Sequence, residues 1–332
     1  MNITHIDYHP YQLTFSNHHL GSVAKGSFRK GALLRIQFEN KQSYGYGCIH
    51  PWEELGDKNL AKQLEHLTAN KPTPLIKQAI HCAYADSVAR ENNLALHISD
   101  QLKNHALCEL THPNISAILE QKKQLTFKII KIKVGQNWKK EREVWHQLTQ
   151  RFPHFKWRLD FNERLSTEQF NETIKWVKNL GLNEYIDFFE DPICISSNLE
   201  TLKNYQGPIK IAIDRNIQLL SQLNPDNFVG VIKPAIDDDA IIESLLKDGY
   251  QLSFTSYLDH PVGQAWASYQ ASNWKQQYPK QLLTAGLLSH SAYQSNDFSA
   301  ELSSTPYWKA SKQAGLGFGS LLNQLSWIPL NS

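Results

Sequence analysis

The sequence predicts an α/β fold: a closed barrel of parallel strands with ionisable groups at successive strand ends, preceded by a smaller α+β domain. Three observations predict it. From His105 onward, short apolar runs alternate with helical patterns, and near-continuous apolar strands belong to a parallel sheet covered on both faces. Five of these runs (residues 127–134, 157–162, 186–192, 209–214 and 229–234) carry Lys131 and Lys133, Asp160, Glu190, Asp214 and Lys233 at or near their ends. The acids and Lys233 fall roughly 20 to 30 residues apart, the length of a strand, a helix and a return.

The elements follow in order. Residues 5–14 and 32–39 alternate apolar and polar, and 44–49 is aromatic and glycine-containing, so the chain begins with strands. Between them, residues 17–31 hold Gly21, Gly26 and Gly31 and few large apolar groups, and read as a mobile loop, a candidate lid. Leu60, Leu64 and Leu67 mark one helix, and Pro74 opens a second whose alanines predict close packing. These pieces form a first domain over residues 1–104. The barrel occupies 105–295, with helical patterns at 139–151, 166–180, 198–205 and 238–249 between its strands. Runs at 106–110, 251–257 and 281–284 bring the strand count to eight. No GxGxxG or Walker sequence supports an open doubly wound sheet instead. The segment 296–332 is expected to pack back on the first domain.

Composition narrows the function. With 34 basic and 32 acidic residues the formal charge is +2, and the basic clusters are too short for a nucleic-acid footprint. Cys48, Cys82, Cys108 and Cys194 lack metal-ligand or disulfide-framework spacing, which suits reduced thiols. There is no signal-like N-terminus and no apolar stretch of membrane-spanning length, so a soluble, cytoplasmic protein without nucleic-acid or membrane partners is expected. Oligomeric state is not decided by the sequence.

Charges in apolar strands are costly unless they meet a partner or a metal. At the C-terminal ends of barrel strands, Asp160, Glu190 and Asp214 converge from three neighbouring strands, and three oxygen donors suit Mg²⁺ or Mn²⁺ over zinc or copper. Strand alternation points Lys131 and Lys133 together into the barrel mouth, with Lys233 on the opposite wall. A lysine base beside a metal suits removal of a proton α to a carboxylate, so a small-molecule carboxylate is the expected substrate. His50 and His260 read as packing residues, and Asp191 as a brace for the site.

These motifs, Lys131-Ile132-Lys133, Asp160-Phe161-Asn162, Glu190-Asp191-Pro192, Asp214 and Val231-Ile232-Lys233-Pro234, resemble the muconate-lactonising subgroup of the enolase superfamily. The resemblance implies a (β/α)7β TIM-like barrel with an N-terminal α+β capping domain. Within the subgroup the chain is most similar to the o-succinylbenzoate synthase family, through Arg29-Lys30-Gly31, residues 45–51, residues 158–162 and Ala285-Gly286-Leu287. That similarity implies a lyase of menaquinone biosynthesis which dehydrates 2-succinyl-6-hydroxy-2,4-cyclohexadiene-1-carboxylate to 2-succinylbenzoate. Lys133 would be the base and would protonate the departing hydroxyl. Lys233 would stabilise the enediolate, and Lys131 would tune Lys133. Arg158, Asn162, Ser256 and Gly286 are the candidate substrate contacts. Three positions depart from relatives: Arg215 follows Asp214 where Glu is usual, Cys48 replaces a common Glu, and residues 255–263 lack the usual Ser- and Glu-rich pattern. An N-acylamino acid racemase or other epimerase with the same two lysines is the alternative reading. A non-catalytic barrel is a third, and the intact set of acids and lysines argues against it.

Overall fold

The computed structural model describes residues 2–16, 27–96, 102–303, 305–308 and 311–330. Strands β1 (Ile3–Thr14), β2 (Phe28–Phe38) and β3 (Gly45–Ile49) form an antiparallel sheet backed by helices α1 (Leu60–Thr68) and α2 (Pro74–Glu91). Thr73 caps α2 by accepting from the Ile76 amide, and Pro74 occupies the first turn, where a missing N–H loses nothing. The alanine-rich face of α2 lies directly on β3. A Cβ at Gly45 would run into the carbonyl of Ala83, and one at Gly47 into that of Ala79. The alanines and the glycines are thus two halves of one close approach.

Of the loop expected at 17–31, residues 17–26 lie outside the described residues. Residues 28–31 are not loop but the start of β2, with Thr14 opposite Phe28 and Leu13 opposite Arg29. Phe28 and Arg29 of this stretch line the cavity described below.

The barrel follows as β4 (Ala106–Cys108), α3 (Ile115–Gln124), β5 (Ile129–Lys133), α4 (Trp138–Arg151), β6 (Lys156–Asp160), α5 (Thr167–Asn179) and β7 (Ile186–Glu190). It continues as α6 (Ile195–Lys203), β8 (Ile211–Ile213), β9 (Phe228–Ile232), α7 (Asp239–Lys247), β10 (Gln251–Phe254) and α8 (Pro261–Gln277). The seven strands pair in parallel, in chain order. Between β8 and β9 a 3-10 stretch, Ile217–Gln222, replaces the helix. The eighth strand expected at 281–284 forms no ladder. Its segment closes the ring through single bridges instead, Leu252 to Leu282 and Thr255 to Gly286 on one side and Asn104 to Ala285 on the other. Backbone bonds on both sides complete the closure, among them Gly286 N to Phe254 O at 2.8 Å and His105 N to Ala285 O at 2.7 Å.

After α9 (Asp297–Ala300) and α10 (Gly319–Asn323), β11 (Ile328–Pro329) pairs antiparallel with β1. Buried Asp86 on α2 accepts from the Leu316 amide at 2.7 Å and the Tyr46 amide at 3.0 Å, joining the C-terminal segment to the first sheet.

The first domain sits across the barrel mouth. Trp52 donates its indole N–H to the Tyr257 carbonyl at 2.8 Å, Tyr257 donates to Asp57 at 2.9 Å, and Gln78 donates to the Asp237 carbonyl at 2.8 Å. Asp259 is buried in this interface, and its Oδ1 has no hydrogen-bond partner among the described residues. Burial pushes its carboxyl up to about 7. A carboxyl raised on folding favours its protonated form, so its contribution holds at acid pH and is lost as pH climbs from about 4 to 7. Asp259→Asn should therefore stabilise the protein by roughly 2–4 kcal/mol at pH 8 and by little at pH 4, which urea midpoints at the two pH values would show.

Candidate active site

The site grows out of strand register. Along β5, Ile130 and Ile132 are fully buried, which leaves Lys131 and Lys133 on the inner face. Lys133 pairs in register with Asp160, and Asp160 with Glu190, so these three strand ends form one row. Glu190 pairs with Ala212, which places Asp214 one pleat further toward the mouth. Lys233 follows β9, four strands from β5 and thus across the ring. These six side chains, with Asn162, Ser256 and Gly286, line a cavity of about 1130 Å³ whose other wall comes from the first domain.

Lys131 stands between two carboxylates, with Nζ at 2.6 Å from Glu190 Oε1 and 3.0 Å from Asp160 Oδ2. Lys233 Nζ meets Asp214 at 2.5 and 2.6 Å. Burial works against both ammoniums, but the carboxylates outweigh it and hold both lysines above their ordinary range. Lys133 differs. It lines the cavity and makes no hydrogen bond or ion pair among the described residues.

The acids are held from behind. Asn162 donates both its amide side chain (2.9 Å) and its backbone N–H (3.2 Å) to Asp160 Oδ1, and Asp191 Oδ1 accepts from the Asp214 amide at 3.0 Å. Asn162, Glu163, Asp191 and Asn216 all have positive φ, so left-handed backbone gathers where β6, β7 and β8 end. Asp160 is held low: burial opposes its charge, but Lys131 and Lys133 prevail. Burial, with the neighbouring Asp160 and Asp214, raises Glu190 to about 7.

As the side chains stand, no three Asp, Glu, His or Cys among the described residues are placed to enclose an ion, and Lys131 occupies the position between Asp160 and Glu190. The donor set nevertheless fits a hard cation. It consists of oxygens alone, and beyond burial Asp160 and Asp214 push the Glu190 carboxyl up, a repulsion that a cation among the three would relieve. Binding an ion would require the Lys131 ammonium to move off its carboxylates.

One expected contact is placed elsewhere. Arg158 does not line the cavity but is fully buried inside the barrel. Its guanidinium bonds Asp187 (2.7 Å), His105 Nδ1 (2.9 Å), Ser253 Oγ (2.9 Å) and the Thr284 carbonyl (2.8 Å), and lies 4.4 Å from the Phe188 ring centroid. The reason is register. Arg158 is level with Lys131, one layer below the Lys133–Asp160 row, and its side chain spans the interior. Ser256 reaches the cavity paired to Ser289 at 2.5 Å, and Gly286 reaches it with the His105 ring so close that a Cβ would collide.

His50 and His260 are buried away from the cavity, and burial pushes both down to about 3, which makes them neutral packing groups. Several lining residues escape sequence reasoning. His105 precedes β4 instead of ending it. Tyr257 places its ring 5.9 Å from Lys233 Nζ, and Asp237 accepts from the Lys233 amide at 2.6 Å. The run Asp237-Asp238-Asp239, two residues beyond Lys233-Pro234, was the available signal for the last.

Comparisons with known proteins agree with this architecture. Residues 6–89 match the family described as O-succinylbenzoate synthase, N-terminal domain, and residues 115–225 match Enolase C-terminal domain-like. An o-succinylbenzoate synthase from Bdellovibrio bacteriovorus is 32% identical over 335 residues, covering 98% of each chain. Among solved structures, a dipeptide epimerase from Enterococcus faecalis complexed with Mg and L-Leu-L-Tyr superposes with a TM-score of 0.78 at 18% identity. It covers 96% of this chain and 99% of its own. A mandelate racemase/muconate lactonizing protein from Herpetosiphon aurantiacus gives 0.75 at 14% identity, covering 95% and 97%. At such identities the two structures speak for the fold alone.

Proposed function

Because the chain belongs to the enolase superfamily and, within it, to the o-succinylbenzoate synthase family, we propose that it dehydrates 2-succinyl-6-hydroxy-2,4-cyclohexadiene-1-carboxylate to 2-succinylbenzoate. The observation that carries this reading is the contrast among the three lysines. Lys131 and Lys233 are tied to carboxylates that favour their charged forms, whereas Lys133 has no hydrogen-bond or ion-pair partner among the described residues and faces the cavity.

In the proposed reaction Lys133 takes the proton from the carbon bearing the ring carboxylate, and the C–H electrons enter an enediolate. Lys233, charged and on the opposite wall, stabilises that developing negative charge. The ammonium formed on Lys133 then gives its proton to the ring hydroxyl on the same face. The C–O bond breaks, water leaves, and the ring becomes aromatic. Lys131, moved off Asp160 and Glu190 where an ion is held, lends positive charge beside Lys133. Asp160, Glu190 and Asp214 would hold a divalent cation, Mg²⁺ first with Mn²⁺ as the alternative, which supplies a Lewis-acidic charge for the substrate carboxylate. Asn162, Ser256 and Gly286 would contact substrate oxygens. Arg158, buried within the barrel on Asp187, His105, Ser253 and Thr284, would brace the ring below the cavity and not touch the substrate. No described helix is long and apolar enough to cross a membrane. We assign the reaction to the cytoplasm, as a step of menaquinone biosynthesis.

The facing lysines also favour a second reading. Two bases on opposite walls could move an α-proton from one face of an N-acylamino acid to the other. The assay that decides supplies purified protein and Mg²⁺ with the cyclohexadiene carboxylate and follows the loss of its ultraviolet absorbance. Turnover is the expected result. No turnover, together with racemisation of an N-succinylamino acid, would replace the synthase reading by the racemase.

A further inference from the structure

The cavity has two chemically different ends. Its floor holds the acids and lysines, while its outer wall, from the first domain, includes Phe28, Arg29, Trp52 and Glu54. The proposed substrate matches this division, with one carboxylate on the ring and a second at the tip of a flexible arm. We propose that Arg29 receives that outer carboxylate and so selects substrates with a second acid at the end of the arm, an assignment that rests on the reaction proposed above.

Three features of Arg29 support this. First, its guanidinium is positioned before any ligand arrives. It lies 4.4 Å from the centroid of the Trp52 ring, and Trp52 is itself fixed to the barrel by the 2.8 Å bond to the Tyr257 carbonyl. Cation–π stacking of this kind sets the plane of the guanidinium and leaves its edge for hydrogen bonds. Second, that edge is half used. Arg29 Nε is buried and has no partner among the described residues, although an unmet buried donor is costly. Third, its one ion-pair partner among the described residues is easily given up. Arg29 Nη2 meets Glu54 Oε1 at 2.7 Å, but the Glu54 side chain is 60% exposed and the Arg29 side chain 19%. A pair so open to water contributes little, and Glu54 can return to solvent at small cost. An incoming carboxylate can then accept from Nε and Nη2 together, the bidentate arrangement that a guanidinium fork favours.

The other guanidinium on this cavity lacks these features. Arg215 is 42% exposed at its side chain and faces Glu163 at 3.4 Å. Arg29 is the better carboxylate receiver of the two.

The test compares two ligands by calorimetry with the Mg²⁺-supplemented enzyme. One is 2-succinylbenzoate. The other is 2-butanoylbenzoate, which keeps the ring acid and the keto arm and ends in a methyl group. Wild-type protein should bind the diacid about tenfold or more tightly than the monoacid. In Arg29→Gln the ratio should fall close to one through weaker diacid binding, with monoacid affinity serving as the internal control for folding. Arg29→Lys should restore part of the preference, because charge returns without the fork. A ratio that persists in Arg29→Gln overturns the role of Arg29 and leaves the reaction intact. A wild-type protein that binds both ligands alike overturns the outer carboxylate subsite. A wild-type protein that binds neither overturns the substrate reading, and Arg29's role with it.

Discussion

Replacing Lys133 by alanine should lower kcat for the dehydration by about 10⁴-fold while leaving the thermal midpoint nearly unchanged. The two halves of that expectation come from the same observation. Lys133 makes no hydrogen bond or ion pair among the described residues, so its removal breaks no direct contact, and Asp160, which its charge helps hold low, keeps Lys131 at 3.0 Å. The reaction, by contrast, loses both the base that takes the α-proton and the acid that protonates the leaving hydroxyl. Alanine at Lys131 would inactivate differently, because it strips Asp160 and Glu190 of the ammonium that bridges them. A small primary amine added to Lys133→Ala should recover part of the rate, and its effect should grow with the fraction of amine that is unprotonated. Activity retained in the alanine variant, or an equal loss of stability and rate, would remove Lys133 from the role of base.

What the sequence made legible here is what periodicity and register control. Acids and lysines at strand ends can be found by counting, since parallel strands with similar connections bring their C-terminal ends to one rim. Asp160 and Glu190 lie level for that reason. The alanines of α2 likewise announced a close approach, and the glycines of β3 complete it. Counting fails where a side chain is long or where pairing is single. Arg158 sits two residues before a site acid and shares its inward face, yet its length carries the guanidinium across the interior and not up to the mouth. Residues 281–284 have the apolar content of a strand, but closure needs only isolated bridges there, and their bonds divide between two neighbours. The outer wall of the cavity was least legible. Arg29 and Trp52 come from different elements of another domain, and only tertiary packing sets one above the other.

Arg158 also supports the second large expectation: Arg158→Met should destabilise the protein by about 3–5 kcal/mol and leave the preference for a diacid ligand in place. Its four bonds join parts of the ring that no single element connects. Asp187 belongs to β7, Ser253 to β10, His105 to the approach to β4, and Thr284 to the closing segment. Methionine can replace much of the aliphatic stem, so the lost energy reports on the guanidinium. Without it the Thr284 carbonyl and His105 lose a charged donor in a water-poor interior, and Asp187 loses the arginine at 2.7 Å. His105 matters twice, because its ring backs Gly286 at the cavity wall, and any shift of that ring reaches the site. Weakening should therefore appear first in the closing segment, as faster amide hydrogen exchange at Leu283, Ala285 and Gly286, whose N–H groups hold the ring shut. A rise in KM with an unchanged urea midpoint and unchanged exchange would show that Arg158 touches the substrate after all.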